Sequence, residues 1–510
     1  MEERRLSGAG SGDTACDNRP EWAGLVCRTH PAAAPTSGPS LPDTRTSGYS
    51  MLLAPTAMAE TSGGVTRTTT TSFLADGRTD TVTTTVTGLA SSQPVPATKT
   101  VYDPASGLPT ATVSLDGDGV DTGRISTGYD KWARTVSYTD TDGAITTTGY
   151  DTAGRVAQVT DPKGTTSHGY DGTDANGKAE LRGLLTTMTV SGVGSFTAGY
   201  DPDGAMTTQL LPGGITQTTS YDTAGEPVGL SFSGQLTSID PDTGEPSVGI
   251  GAWLSWSQEN DVMGRVRREW TPAGSAFTDG PGVDDVGQVQ PYDTGDALGY
   301  DRNYGYDRAA RLVTVDDRTA PATGAEPGGC VTRAYSFDRN GNRTGLTTRD
   351  PAADGTCAGS GGTTTTWASD TADRPHISSG YVYDELGRTL TLPAADSPGG
   401  QDVTLGYHHS DAVHSITTAG ATQTFTLDPA GRRATATTTG TAGTRVMTRH
   451  YADTSDNPGW ITETQPGAGP VITRYAESVG GDLAATITDN DASLTLGNLH
   501  GDTVTTITLP

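Results

Sequence analysis

The chain has 510 residues, with 33 Lys and Arg set against 60 Asp and Glu, a net charge of −27. A surface this acidic repels phosphate backbones and excludes nucleic acid as a natural partner. Hydrophobic residues make up 33%, below the usual ~45–50%. The shortfall is filled by 68 Gly and by many Thr, which reads as thin strands with a polar face rather than as disorder.

In chain order, residues 1–60 are rich in Pro, Ser, Ala and Gly and read as an irregular N-terminal flank. Met1-Glu2-Glu3-Arg4-Arg5-Leu6 lacks the apolar core of a signal peptide, and Met51-Leu52-Leu53-Ala54 is too short and too internal to supply one. No run of 18 apolar residues is present, so no membrane-spanning helix is expected. Within the flank, Cys16 and Cys27 bracket Trp22 and several turn formers, the pattern of a closed loop.

From residue 61 to 510 one unit recurs. Phe73-Leu74-Ala75-Asp76-Gly77-Arg78 is a worn copy, and Tyr102-Asp103-Pro104 starts the first clearer one. Then come Tyr129-Asp130, Tyr150-Asp151 with Gly154 and Arg155, Tyr170-Asp171, Tyr200-Asp201 with Gly204, and Tyr221-Asp222 with Gly225. A degenerate copy runs Asp261-Val262-Met263-Gly264-Arg265. Residues 271–299 read as a surface insertion or a long connection, and 317–330, 350–363 and 393–402 as similar loops. Between them lie Tyr306-Asp307, Phe337-Asp338 with Gly341, Tyr383-Asp384 with Gly387 and Arg388, and Leu427-Asp428 with Gly431 and Arg432.

The chemistry of the unit is that of a hairpin. In Gly149-Tyr150-Asp151-Thr152-Ala153-Gly154-Arg155-Val156 the Asp accepts from backbone N–H groups ahead of it, and the Gly takes the positive φ that a type I turn with a bulge requires. An Ala there costs about 1–2 kcal/mol. Val156 to Thr160 then keeps a period of two. One hairpin is marginal alone in water, so the copies beside it, some 20 to 21 residues apart between Tyr129 and Tyr170 and again between Tyr200 and Tyr221, imply a repeat architecture. That overrides the three domains a length of 510 would otherwise suggest.

The Tyr-Asp-x-x-Gly-Arg pattern resembles the YD-repeat or RHS-repeat family over roughly residues 65–510. The resemblance implies an all-β fold: a large, mostly antiparallel sheet of hairpin repeats that spirals into a hollow shell, here without its closing segment. It implies a non-enzymatic structural role, enclosing a C-terminal toxin cargo and helping to deliver it, in a secreted or cell-surface protein. The alternative is a wall-associated protein that binds a cell-surface glycan through Tyr and Asp. The motif tyrosines are expected to pack between neighbouring strands rather than to stack on sugars. The loop around Cys16 and Cys27 resembles one found just before the repeats in secreted members. Four cysteines permit three pairings; nearness in the chain favours Cys16 with Cys27 and Cys330 with Cys357.

Other motifs yield to plainer readings. Gly172 to Lys178 has phosphate-loop spacing, but Ala179 stands where a Mg²⁺-ligating hydroxyl is needed. Asp116 to Asp121 lacks the ligands of a calcium loop at Val120 and Thr127. His408, His409 and His414 do not have zinc-site spacing. Neither Gly-x-Ser-x-Gly nor His-Glu-x-x-His occurs, so no enzyme, cofactor or metal site is assigned. Family members that cleave off their cargo carry Pro five residues before Asp-Pro-x-Gly. No Asp-Pro of this chain has that Pro, and the expectation is an incomplete shell that self-associates through a free sheet edge.

Overall fold

The computed structural model describes residues 2–7, 13–17, 19–234, 236–239, 246–249, 252–271, 300–319, 329–489 and 491–509. The stretch 272–299 and residues 320–328, both inside the expected loops, lie outside them. The fold is all-β, built of large antiparallel sheets. Two compact units divide it: residues 1–147 with 367–471, and residues 148–366 with 472–510. Each unit therefore joins an early run of hairpins to a late one.

In the first unit, strands from Val26–Pro31 to Thr135–Thr139 pair each with the next, always antiparallel. The late run, from Val382–Tyr383 to Trp460–Thr464, does the same. Thr is the dominant strand former. Thr68, Thr69 and Thr70 of Val65–Phe73 lie opposite Thr85, Thr84 and Thr83 of Thr79–Thr87, and β-branched side chains suit this pleated, half-buried surface. The buried apolar cluster of this unit is small: Ile125, Tyr138 and Tyr451.

The N-terminal segment departs from the irregular flank expected. Glu2–Leu6 pairs with Val26–Pro31, which pairs with Asp43–Tyr49, which pairs with Pro55–Ser62. These strands lack the Tyr-Asp turn; Asp43–Tyr49 alternates Thr and Arg, and ion pairs hold arginines of the second and third strands. Arg28 Nε donates to Asp43 (2.9 Å), and Arg45 donates to Asp13 (2.9 Å). Pro55–Ser62 crosses residue 60, so no boundary falls there. Cys16 and Cys27 are disulfide-bonded and buried, and Cys330, also buried, is bonded to the half-buried Cys357.

The second unit carries a real apolar core. Met188, Phe196, Ile215, Phe232, Leu254 and Trp256 of the early run pack with Ala485, Leu494, Leu496 and Ile507 of the late run. Burial alternates along Asp491–Gly497 at Ala492, Leu494 and Leu496, the period of two that a one-faced strand requires. Phe232 meets Trp256 edge to face, with centroids 6.3 Å apart. Replacing Leu494, fully buried, by Ala is expected to lower the stability of this unit by about 2–5 kcal/mol. Leu483→Ala, at a side chain 42% exposed, is expected to cost far less; equal urea midpoints for the two variants would contradict this placement of the core.

Candidate functional site

The repeated turn is densely hydrogen-bonded. In its full form Asp151 Oδ1 accepts from the backbone N–H of Ala153 (2.9 Å) and Arg155 (2.8 Å), while Oδ2 accepts from Arg155 Nε (2.7 Å). Two backbone bonds close the loop, Asp151 N to Arg155 O and Gly154 N to Asp151 O. The same geometry recurs at Asp130, Asp384 and Asp428 with Arg134, Arg388 and Arg432. Asp201 and Asp222 keep the two backbone bonds, although Ala205 and Glu226 replace the arginine. Burial opposes ionisation of Asp151, but the Arg155 amide and guanidinium outweigh it and hold the carboxyl below its usual range. At Asp261 the Arg265 guanidinium is the leading cause of the same lowering.

The arginine has a second role that reading a single motif does not show. Its guanidinium lies over the aromatic ring of the next repeat: Arg155 over Tyr170 at 4.3 Å, Arg265 over Tyr306 at 4.5 Å, Arg311 over Phe337 at 4.8 Å and Arg388 over Tyr407 at 4.7 Å. The tyrosine hydroxyl then donates to a carbonyl one strand back: Tyr170 to Val156 (3.0 Å), Tyr200 to Leu185 (2.7 Å), Tyr221 to Met206 (2.9 Å), Tyr129 to Pro109 (2.9 Å) and Tyr383 to Pro375 (2.7 Å). Tyr and Arg thus link consecutive units, while Asp and Gly shape each one. The signal was present in the sequence as the regular succession of Arg and the next Tyr.

Gly154, Gly204, Gly225, Gly387 and Gly431 have φ between +80° and +94°. Ala133 and Ala310 occupy the same position with φ of +63° and +61°, so these two repeats carry strain that Gly avoids.

One expected turn residue is placed differently. Asp171 does not open a turn; it has a φ of +55° and its carboxylate pairs with Arg155 Nη2 at 2.6 Å. The turn falls three residues later, where Asp174 Oδ1 accepts from Asn176 N and Lys178 N. The insertion before Leu185–Val190 displaces it, and the phosphate-loop spacing of Gly172 to Lys178 belongs to this turn.

In the first unit the late turns also bond to the early run. Arg432 is held by Asp428, donates through Nη1 to the carbonyls of Asp453 and Ser455 (both 2.8 Å), and through Nη2 to the Tyr138 hydroxyl (2.6 Å). Its guanidinium sits 3.7 Å from the Tyr451 ring centroid. Burial pushes the Tyr138 hydroxyl up to about 12, partly countered by Arg432. Arg374, paired with Asp370, donates to the carbonyls of Ser37 and Pro39. Asp140 accepts from Tyr451 N (2.8 Å), and Asp142 from His450 Nδ1 (2.6 Å). In the second unit, Arg474 reaches Asp161, Val479 N donates to the Gln209 side chain (3.0 Å), and His500 Nε2 contacts buried Glu269 (2.9 Å). None of these contacts follows from repeat spacing.

Two groups of described residues bring three donor atoms within 4.8 Å of one another: Asp140, Asp142 and His450, and Asp316 with Cys330 and Cys357. In the first, the carboxylates are engaged by Thr141, Ala144 and Tyr451 backbone N–H groups and by the imidazole. In the second, both sulfurs are spent in the disulfide. Neither is an open metal centre. No helix among the described residues is long and apolar enough to cross a membrane.

These features define a protein of β-hairpin repeats closed by Asp-x-x-Gly-Arg turns. Residues 129–166 match the RHS repeat, which identifies the repeat plainly. The fold is shared with solved structures of TcdB2–TccC3–Cdc42 (TM-score 0.56), TcdB2–TccC3–TEV (0.58) and the Photorhabdus luminescens Tc holotoxin pore with a TccC3 variant (0.56). Each is 13% identical in sequence, and each match covers 94% of this chain and 23% of the other. The likeness is therefore one of fold, and this chain spans about a quarter of the length of those chains. No curated protein matches it by sequence.

Two outcomes test the turn. Ala133→Gly is expected to raise stability by about 0.5–1 kcal/mol, the relieved strain less the added freedom of the unfolded chain, whereas Gly431→Ala, where nothing obstructs a Cβ, costs about 1–2 kcal/mol; a rise in urea midpoint for the second would contradict the assignment. Arg432→Met strands the buried Asp428 carboxylate and is expected to destabilise the first unit by about 3–5 kcal/mol. A loss below about 1 kcal/mol, the scale of an exposed ion pair, would show that Arg432 is no anchor.

Proposed function

We propose that this chain is a structural part of an RHS-repeat toxin system, exported from the cell, that encloses a toxin cargo and helps to deliver it without catalysing a reaction. The observation that carries this reading is the shared fold over 94% of the chain with TcdB2–TccC3 assemblies, one relative of which is a Tc holotoxin pore. The residue chemistry supports a scaffold. The turn carboxylates and arginines are engaged with one another and with backbone groups. The alternative, recognition of a surface glycan by the motif tyrosines, has less support because their hydroxyls already donate to neighbouring strands.

Limited proteolysis of the full-length gene product tests the proposal. The expected result is a segment outside residues 1–510 that resists protease while the repeats are folded and is digested once urea unfolds them. Digestion of every such segment in the native protein would overturn the enclosing role. Retention of the isolated repeats on a polysaccharide column would favour the glycan alternative.

A further inference from the structure

One repeat of the first unit places an imidazole at its key position. In Tyr407-His408-His409-Ser410-Asp411-Ala412-Val413-His414 the loop closes with the usual backbone bonds, His408 N to Ala412 O (2.8 Å) and Asp411 N to His408 O (3.2 Å). Asp411 takes the Gly position with φ of +68°. An imidazole therefore stands where Asp130, Asp384 and Asp428 carry the capping carboxylate.

This turn is also a join. Gln93 N donates to Tyr407 O (2.9 Å) and His409 N donates to Gln93 O (2.7 Å), a parallel bridge between the early and late runs of the unit. His408 is 8% exposed, and its ring lies 4.8 Å from that of His414, edge to face. The Nδ1 atoms of His408, His409 and His414 are all buried without a hydrogen-bond partner. His408 Nε2 faces the Phe425 carbonyl at 3.3 Å. A carbonyl only accepts, so the neutral ring carries its proton on Nε2, and a second proton must enter at Nδ1.

We propose that the His408 turn is an acid-opened latch: the neutral His408 imidazole keeps Gln93 stitched to the late strands, and its protonation releases it. His408 Nδ1 is buried without a hydrogen-bond partner, the Pro94 carbonyl only partly offsets the cost of a proton on the ring, and the His414 and His409 imidazoles add to that cost. Arg388 adds a fixed cation, bonded through Nη1 to the His408 carbonyl (3.0 Å). The neighbouring carboxylates are committed elsewhere: Asp411 to Arg67 and Arg388, Asp384 to Arg388, and Glu60 to Arg67. Burial holds the His408 pKa below its ordinary value, with His414 and His409 adding to the lowering, and the Phe425 and Pro94 carbonyls opposing it less strongly. The folded value thus lies below the unfolded one of about 6.5. The stabilisation is complete above that pH and is lost as pH falls through the folded value. The latch is a property of the first unit and stands whether or not the chain encloses a cargo.

Amide hydrogen exchange on the whole chain tests it, with rates corrected for intrinsic pH dependence. Protection at Gln93 and His409 is expected to fall about tenfold for each pH unit below the unfolded value of His408, until its folded value is reached. The Val479 amide, bonded to the uncharged Gln209 side chain in the second unit, should keep its protection. In His408→Asn, which cannot titrate, the Gln93 and His409 amides should lose the pH dependence. Equal pH dependence in variant and parent, or none in the parent, would overturn the latch. Should the variant weaken the join at every pH, NMR titration of His408 in the parent decides: a pKa at or above about 6.5 refutes the proposal, and a lower one supports it.

Discussion

An Asp carboxylate that caps its own turn and grips the arginine four residues on is the contact from which the rest of this structure is assembled. Its two oxygens divide the work: one accepts two backbone N–H groups, as Asp151 does from Ala153 and Arg155, and the other fixes the guanidinium. A guanidinium so fixed can lie flat on the next aromatic ring, and the ring's hydroxyl then ties back to the strand before it. Each bond is modest alone, since exposed ion pairs and cation–π contacts contribute about 0.5–1 kcal/mol. Repetition is what makes them sufficient, because hairpin after hairpin is braced by the one that follows, as at Arg155, Arg265, Arg311 and Arg388.

The two units solve the joining of early to late strands by different physics. In the second, a continuous apolar cluster runs from Phe196 and Trp256 to Leu494 and Ile507; the join is mainly hydrophobic, with Arg474 on Asp161 and His500 on Glu269 beside it. In the first, few apolar residues are available, and the join is polar. Arg432 on Tyr138, Arg374 on the Ser37 and Pro39 carbonyls, and Asp140 on the Tyr451 amide carry it. Three of the aspartates in this late run are almost wholly buried, unlike those of Asp151 or Asp307. Buried ion pairs are costly to break on one side only, so such a join is held by geometry and is responsive to protonation where an imidazole takes part.

Much of this fold can be read locally. The Asp-x-x-Gly-Arg spacing is enough to place the turns at Asp151, Asp384 and Asp428, because the Asp cap and the positive φ of the following Gly act within five residues. Thr-rich alternation likewise suffices to mark strands such as Thr79–Thr87. Local reading stops where partners are distant. It placed a turn at Asp171, because an insertion shifted the cap to Asp174, and it missed the strands before residue 60, which carry no Tyr-Asp signature.

What the amino-acid sequence determined by itself was the repeating hairpin, since its causes are short-range: a cap, a φ angle and a period of two. What only the tertiary structure decided was which turns become buried anchors. Asp428-Arg432 and Asp151-Arg155 carry the same motif, yet only the first meets a tyrosine 294 positions away. No pattern near either turn encodes that difference, because it depends on which strand the folded chain lays beside it.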